Sequence, residues 1–142
     1  MTSTQPPDSG FAPDPSYAAG ASELPLLDDT IGGMLDRIAA DQPEAEALVE
    51  VQTGRRWTYA ELRGSAEDVA LGLLAEGVNR GDRVGIWAPN VAEWTLLQFG
   101  SAKIGAILVN INPAYRSHEL EYVLRQAGIT LLVSAPSFKM SD

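Results

Sequence analysis

Apolar residues follow two alternating rhythms from residue 30 onward, one helical and one in short continuous runs. In TIGGMLDRIAADQP, Thr30 stands as an N-cap, Ile31, Met34, Leu35 and Ile38 share one helix face, and Pro43 lies beyond the end. Runs over 47–51 and 55–59 flank Thr53-Gly54, and a glycine that takes positive φ there predicts a β-hairpin. Thr58 and Glu61 then form a capping box. Leu62, Ala66, Val69, Ala70, Leu73 and Leu74 follow at helical spacing, and Gly77 supplies the left-handed stop.

The run 83–88, with Val84, Ile86 and Trp87, predicts a buried strand. Asn90, with Glu93 three residues on, predicts a capped helix over 91–104. Apolar residues lie on more than one side of that helix, so it is expected to need more cover than this chain offers. Gly100 within it costs about 1 kcal/mol of helix propensity, tolerable where a neighbouring backbone needs the space. A strand over 106–111 follows. Ser117 is the expected cap of a helix bearing Leu120, Val123, Leu124 and Ala127 and ending at Gly128, and 129–133 is a third strand. Helices alternating with strands imply parallel pairing through right-handed crossovers. The predicted fold is α/β: a partial parallel sheet with crossover helices, preceded by a β-hairpin.

Composition adds a boundary. The first 25 residues hold five of the nine prolines and few branched apolar residues, which cannot repay the entropy of ordering. Residues 1–25 are therefore expected to be a disordered leader, with Phe11 and Tyr17 unattached. The remainder of the 142 residues suffices for one domain, and 45% apolar with 20% charged residues is globular composition. The net charge of −9 is concentrated at the start: residues 1–50 carry ten acidic groups against Arg37 alone, whereas 51–142 carry nine of each sign. A neutral core offers no electrostatic footprint for nucleic acid or an anionic membrane surface. The absence of cysteine excludes disulfides and thiolate metal sites. His118, the one histidine, is expected to be solvated at a helix start rather than ligating or catalytic. No apolar run approaches the ~18 residues of a membrane span, and no secretory or transit pattern opens the chain, so a cytoplasmic location is expected.

In a parallel sheet ligands gather at the carboxyl ends of the strands, where loops and helix N-termini converge. Three proline-bearing loops lie there, over 88–90, 112–116 and 134–137. The first and third read as strand terminators. The middle one adds Asn112, Tyr115 and Arg116, placing donors, an aromatic face and a cation on one short segment. Neither GxGxxG nor GxxxxGK[ST] occurs, and no GxSxG elbow is present.

Taken in order, WTYAELRGSAEDVALGLLAEGVNRGDRVGIWAPNVAEW and GSAKIGAILVNINPAYRSHELEYVLRQAG resemble the N-terminal region of the acyl-CoA synthetases, members of the adenylate-forming (AMP-binding) ligase superfamily. NINPAYRSHELEYVL is most similar to the medium- and long-chain fatty acyl-CoA synthetases. The resemblance implies that 26–142 is the incomplete N-terminal part of the ligase large domain. It also implies a two-step reaction in which ATP and Mg2+ convert a fatty acid or other carboxylate to an acyl-adenylate and coenzyme A then takes the acyl group. The family's phosphate loop, adenine- and ribose-binding motifs and adenylation lysine lie downstream of the matched region. The chain alone is therefore expected to be inactive and to bind none of these cofactors well. Tyr115 and Arg116 are implied to lie near the coenzyme A channel, and no catalytic or metal-binding residue is implied. Two other readings stand beside this one. The first is a non-catalytic interaction module that keeps the ligase scaffold and pairs with a partner, such as a full-length ligase, through the exposed faces of its incomplete sheet, which is also the expected route of any self-association. The second, a flavodoxin-like nucleotide binder, is disfavoured by the missing phosphate loop.

Overall fold

The computed structural model describes residues 27–136; the expected leader, with Phe11 and Tyr17, and Ser137 of the third loop lie outside the described residues. The described residues form α1 (Ile31–Asp41), β1 (Glu46–Glu50), β2 (Arg55–Thr58), α2 (Tyr59–Ala75), β3 (Arg83–Trp87), α3 (Ala92–Lys103), β4 (Ile107–Ile111), α4 (Ser117–Ala127) and β5 (Ile129–Ser134).

Local chemistry sets several of these boundaries. The Thr30 hydroxyl accepts the Gly33 N–H at 3.0 Å and starts α1. Thr58 and Glu61 cap α2 reciprocally, at 3.3 Å for the Glu61 N–H on the hydroxyl and 2.8 Å for the Thr58 N–H on the carboxylate. At φ 74°, Gly54 turns the antiparallel β1–β2 hairpin and donates its N–H to the Glu50 carbonyl at 2.8 Å.

The second sheet is parallel, in the order β4-β3-β5. Its central strand is the best shielded, with Val84 and Ile86 at 0% and 1% exposure. Because β4 and β5 flank β3 on opposite sides, right-handed crossovers run in opposite directions and place α3 and α4 on opposite faces. One apolar cluster joins Leu73, Val78, Val84, Ile86, Ala88 and Leu97 between α2, α3 and the parallel sheet. Another joins Leu35, Leu62 and Ala66 to Trp57 and Tyr59 near the hairpin, with Leu96 and Phe99 packed on it.

This arrangement corrects the expectation that the helix over 91–104 lacks cover. α3 lies between the two clusters, giving Leu97 to one and Leu96 and Phe99 to the other. Its approach to α2 is so close that a Cβ at Gly100 would stand 2.5 Å from Val69 Cγ1 and 3.1 Å from the Ala66 carbonyl oxygen. Among the described residues the helix short of cover is α4, which has no buried residue and leaves Tyr122 63% exposed.

Candidate functional site

The carboxyl ends of β3, β4 and β5 converge as the parallel register requires, with Trp87 level with Ile111 on one side and Ser134 on the other. Trp87, the last residue of the central strand, ties the flanking loops together. Its carbonyl accepts the Ala135 N–H at 3.1 Å, and its indole Nε1–H donates to the Asn112 carbonyl at 3.1 Å. Asn112 organises the middle loop in turn. Its carbonyl also accepts the Tyr115 N–H at 3.0 Å, and its side-chain Oδ1 accepts the Ala114 N–H at 3.0 Å, an Asx turn inside a β-turn.

That turn delivers Tyr115, 36% exposed, and Arg116, also exposed, to the surface side by side. Arg116 rather than Ser117 is the N-cap of α4, its N–H donating to the Glu119 carboxylate at 3.0 Å. Ser117, expected as the cap, is instead the first helical residue, because the chain leaves the extended conformation one residue earlier. His118 is exposed in the first turn, as expected. Trp87, Ser117, Leu120, Glu121, Leu124 and Arg125 line a groove of about 490 Å³ between the end of β3 and α4.

The loop 88–90 is braced from elsewhere. The expected Asn90 cap does not form: Val91 is the N-cap of α3 and makes no side-chain cap bond. The Ala92 N–H instead donates to Glu50 Oε1 at 2.9 Å, a carboxylate supplied by the hairpin. Glu50 is 7% exposed and completes its shell with the Thr53 hydroxyl and with Arg55, whose Nε and Nη2 donate at 2.9 and 3.0 Å. Arg55 also grips Glu93 in the first turn of α3 through Nη1 at 2.7 Å and Nη2 at 3.1 Å, and its guanidinium carbon lies 5.3 Å from the Trp57 ring centroid.

The hydrogen bonds from Arg55, then from Thr53 and Ala92, hold the Glu50 carboxyl down at about 2. Arg55 likewise lowers Glu93, while Glu93 and then Glu50 push the guanidinium further up. A carboxylate ionised this firmly does not exchange protons near neutrality; it is a clamp between hairpin and α3. Glu50 escaped sequence reasoning, although one acid ending an apolar strand opposite an arginine across a tight turn was the available signal. Among the described residues no three His, Cys, Asp or Glu side chains gather in a manner suited to a metal ion, and no helix is long and apolar enough to cross a membrane.

The sequence pattern of the family described as AMP-binding enzyme matches residues 35–141. Over 124 residues the chain is 45% identical to the mitochondrial medium-chain acyl-CoA ligase ACSF2 of Danio rerio, a match spanning 87% of this chain and 20% of that protein. It is 40% identical over 114 residues to the putative acyl-CoA synthetase YngI of Bacillus subtilis (strain 168), covering 80% of this chain and 21% of that one. Among solved structures, the inhibitor-bound N-terminal domain of FACL13 from Mycobacterium tuberculosis superposes with a TM-score of 0.72 at 36% identity, over 75% of this chain and 27% of that one. The chain thus spans about a fifth of the length of the curated relatives it matches.

Proposed function

Because the chain belongs to the AMP-binding enzyme family, we propose that its residues build the first part of the large domain of an ATP-dependent fatty acyl-CoA synthetase. That enzyme joins a medium- or long-chain fatty acid to coenzyme A and releases AMP and pyrophosphate. The observation that carries the reading is the 45% identity to a medium-chain acyl-CoA ligase over 124 residues, 87% of this chain.

The donor set here fits only part of that chemistry. The sequence has no Gly-rich phosphate cradle, and the described residues hold no carboxylate cluster, so ATP and Mg2+ do not fit these residues and no adenylation step is assigned to them. Coenzyme A fits better. Its thiol arm is an extended amide chain and its head carries phosphates, which suit the aromatic face of Tyr115 and the cation of Arg116 on their stiff turn. On this reading the two side chains guide the arm toward the acyl group, and the 142 residues alone do not form an adenylate.

Two measurements test this. ATP–pyrophosphate exchange by the isolated chain with any fatty acid is expected to be nil, and measurable exchange from pure material would overturn the division of labour. In the complete enzyme, Arg116→Ala is expected to raise KM for coenzyme A about tenfold while sparing ATP–pyrophosphate exchange, the loss of one charge-assisted contact. An unchanged KM would remove Arg116 from the coenzyme A path.

A further inference from the structure

We propose that Trp87 is a positioning residue for the loop that carries Tyr115 and Arg116, acting through its indole N–H. The inference rests on the coenzyme A reading for its functional consequence and on geometry alone for its mechanical part.

Trp87 ends the central strand of the parallel sheet, behind Val84 and Ile86, so its backbone is anchored in the best-shielded part of the molecule. From that anchor the indole reaches 25 residues along the chain to the Asn112 carbonyl. This carbonyl is the acceptor that closes the 112–115 turn through the Tyr115 N–H, so the indole and the turn share one oxygen and use both of its acceptor positions. The Ala114 N–H hangs on the side chain of the same asparagine, and the next residue is the N-cap of α4. The orientation of Tyr115 and Arg116 is therefore set at Asn112, and Asn112 is held to the sheet by Trp87.

The two polar contacts of Trp87 are separable. Its carbonyl holds the Ala135 N–H through the backbone, whatever side chain stands at 87, whereas the contact to Asn112 needs an indole. The ring also lines the groove beside Leu120 and Leu124, a role an apolar ring fills without any N–H. A phenylalanine keeps the packing and the 134–136 loop and releases the 112–116 loop.

The test is residue-resolved hydrogen exchange by NMR on the 142-residue chain with Trp87→Phe. A second variant replaces the indole by its sulfur isostere, benzothiophene, which keeps the shape and removes only the N–H. In both, the amides of Ala114 and Tyr115 are expected to exchange about two- to tenfold faster, the range for losing one neutral hydrogen bond, while Ala135 and the β3 amides keep their rates. Unchanged rates at Ala114 and Tyr115 in the isostere, or a uniform rise that includes Ala135 and β3, would overturn the proposal. Trp87→Phe in the complete enzyme provides the functional arm, with a raised KM for coenzyme A and an unchanged KM for ATP expected. A loosened loop with an unaltered coenzyme A KM would overturn the placing of this loop on the coenzyme A path and leave the mechanical tie standing.

Discussion

A substitution that ought to stabilise a helix is expected to destabilise this protein. Gly100 lies inside α3, and replacing a mid-helix glycine by alanine gains about 1 kcal/mol in propensity when nothing opposes it. Here the new methyl carbon would stand 2.5 Å from Val69 Cγ1, 2.8 Å from Val69 Cβ and 3.1 Å from the Ala66 carbonyl oxygen. Val69 cannot turn away, because a β-branched side chain in a helix has essentially one χ1 and rotation would leave its Cβ in place. α2 and α3 must therefore separate, and overpacking of this kind costs roughly 1–3 kcal/mol. The net effect of Gly100→Ala is then a loss of up to about 2 kcal/mol, read as a lower urea midpoint at unchanged slope. The reasoning predicts partial relief in a second background: Val69→Ala removes the 2.5 Å contact to Cγ1 but leaves the 2.8 Å contact to the Cβ of residue 69, so Gly100→Ala should cost less there than beside Val69 without becoming stabilising. A Gly100→Ala variant more stable than the parent in the Val69 background would refute the claim that this glycine exists for helix contact.

Leu35, 2% exposed at the centre of the cluster near the hairpin, is expected to cost about 2–5 kcal/mol when cut to alanine, by urea unfolding; a cost below 1 would mean that this cluster is not a core. The Glu50 clamp makes a pH prediction. A carboxyl held at about 2, against an ordinary 4.5, stabilises the fold fully above about 4.5, and this contribution is lost as pH falls toward 2 because the unfolded chain takes up the proton first. Urea midpoints at pH 7 and pH 3 should therefore draw together in Glu50→Gln relative to the parent, with the variant weaker at pH 7. Equal pH dependence in the two proteins would show that Glu50 is not held by Arg55, Thr53 and Ala92.

What the sequence makes legible divides by the range of the forces involved. The capping box of Thr58 and Glu61, the turn at Gly54 and the left-handed stop at Gly128, with φ 61°, are decided within four residues and were readable as such. The start of α3 differs from the Asn90–Glu93 expectation because the support there is tertiary: Val91 is the N-cap, and a carboxylate 42 residues upstream takes the Ala92 N–H. The apolar girth of α3 was visible, but which elements converge on it was not, since alternation of helices and strands fixes parallel pairing without fixing the order β4-β3-β5. The three loops of the candidate site follow from that alternation. Their mutual tie does not, because a tryptophan in an apolar run reads as packing, and only the register shows its N–H reaching Asn112.

The most direct test of the central claim is the formation of acyl-CoA by the intact protein that carries these residues in the cell. The protein would be captured with an antibody to 31–136 and supplied with ATP, Mg2+, coenzyme A and a panel of fatty acids. The account predicts thioester and AMP in equal amounts with a medium- or long-chain acid. Failure of every carboxylate to yield either product, from protein that remains folded, would contradict it.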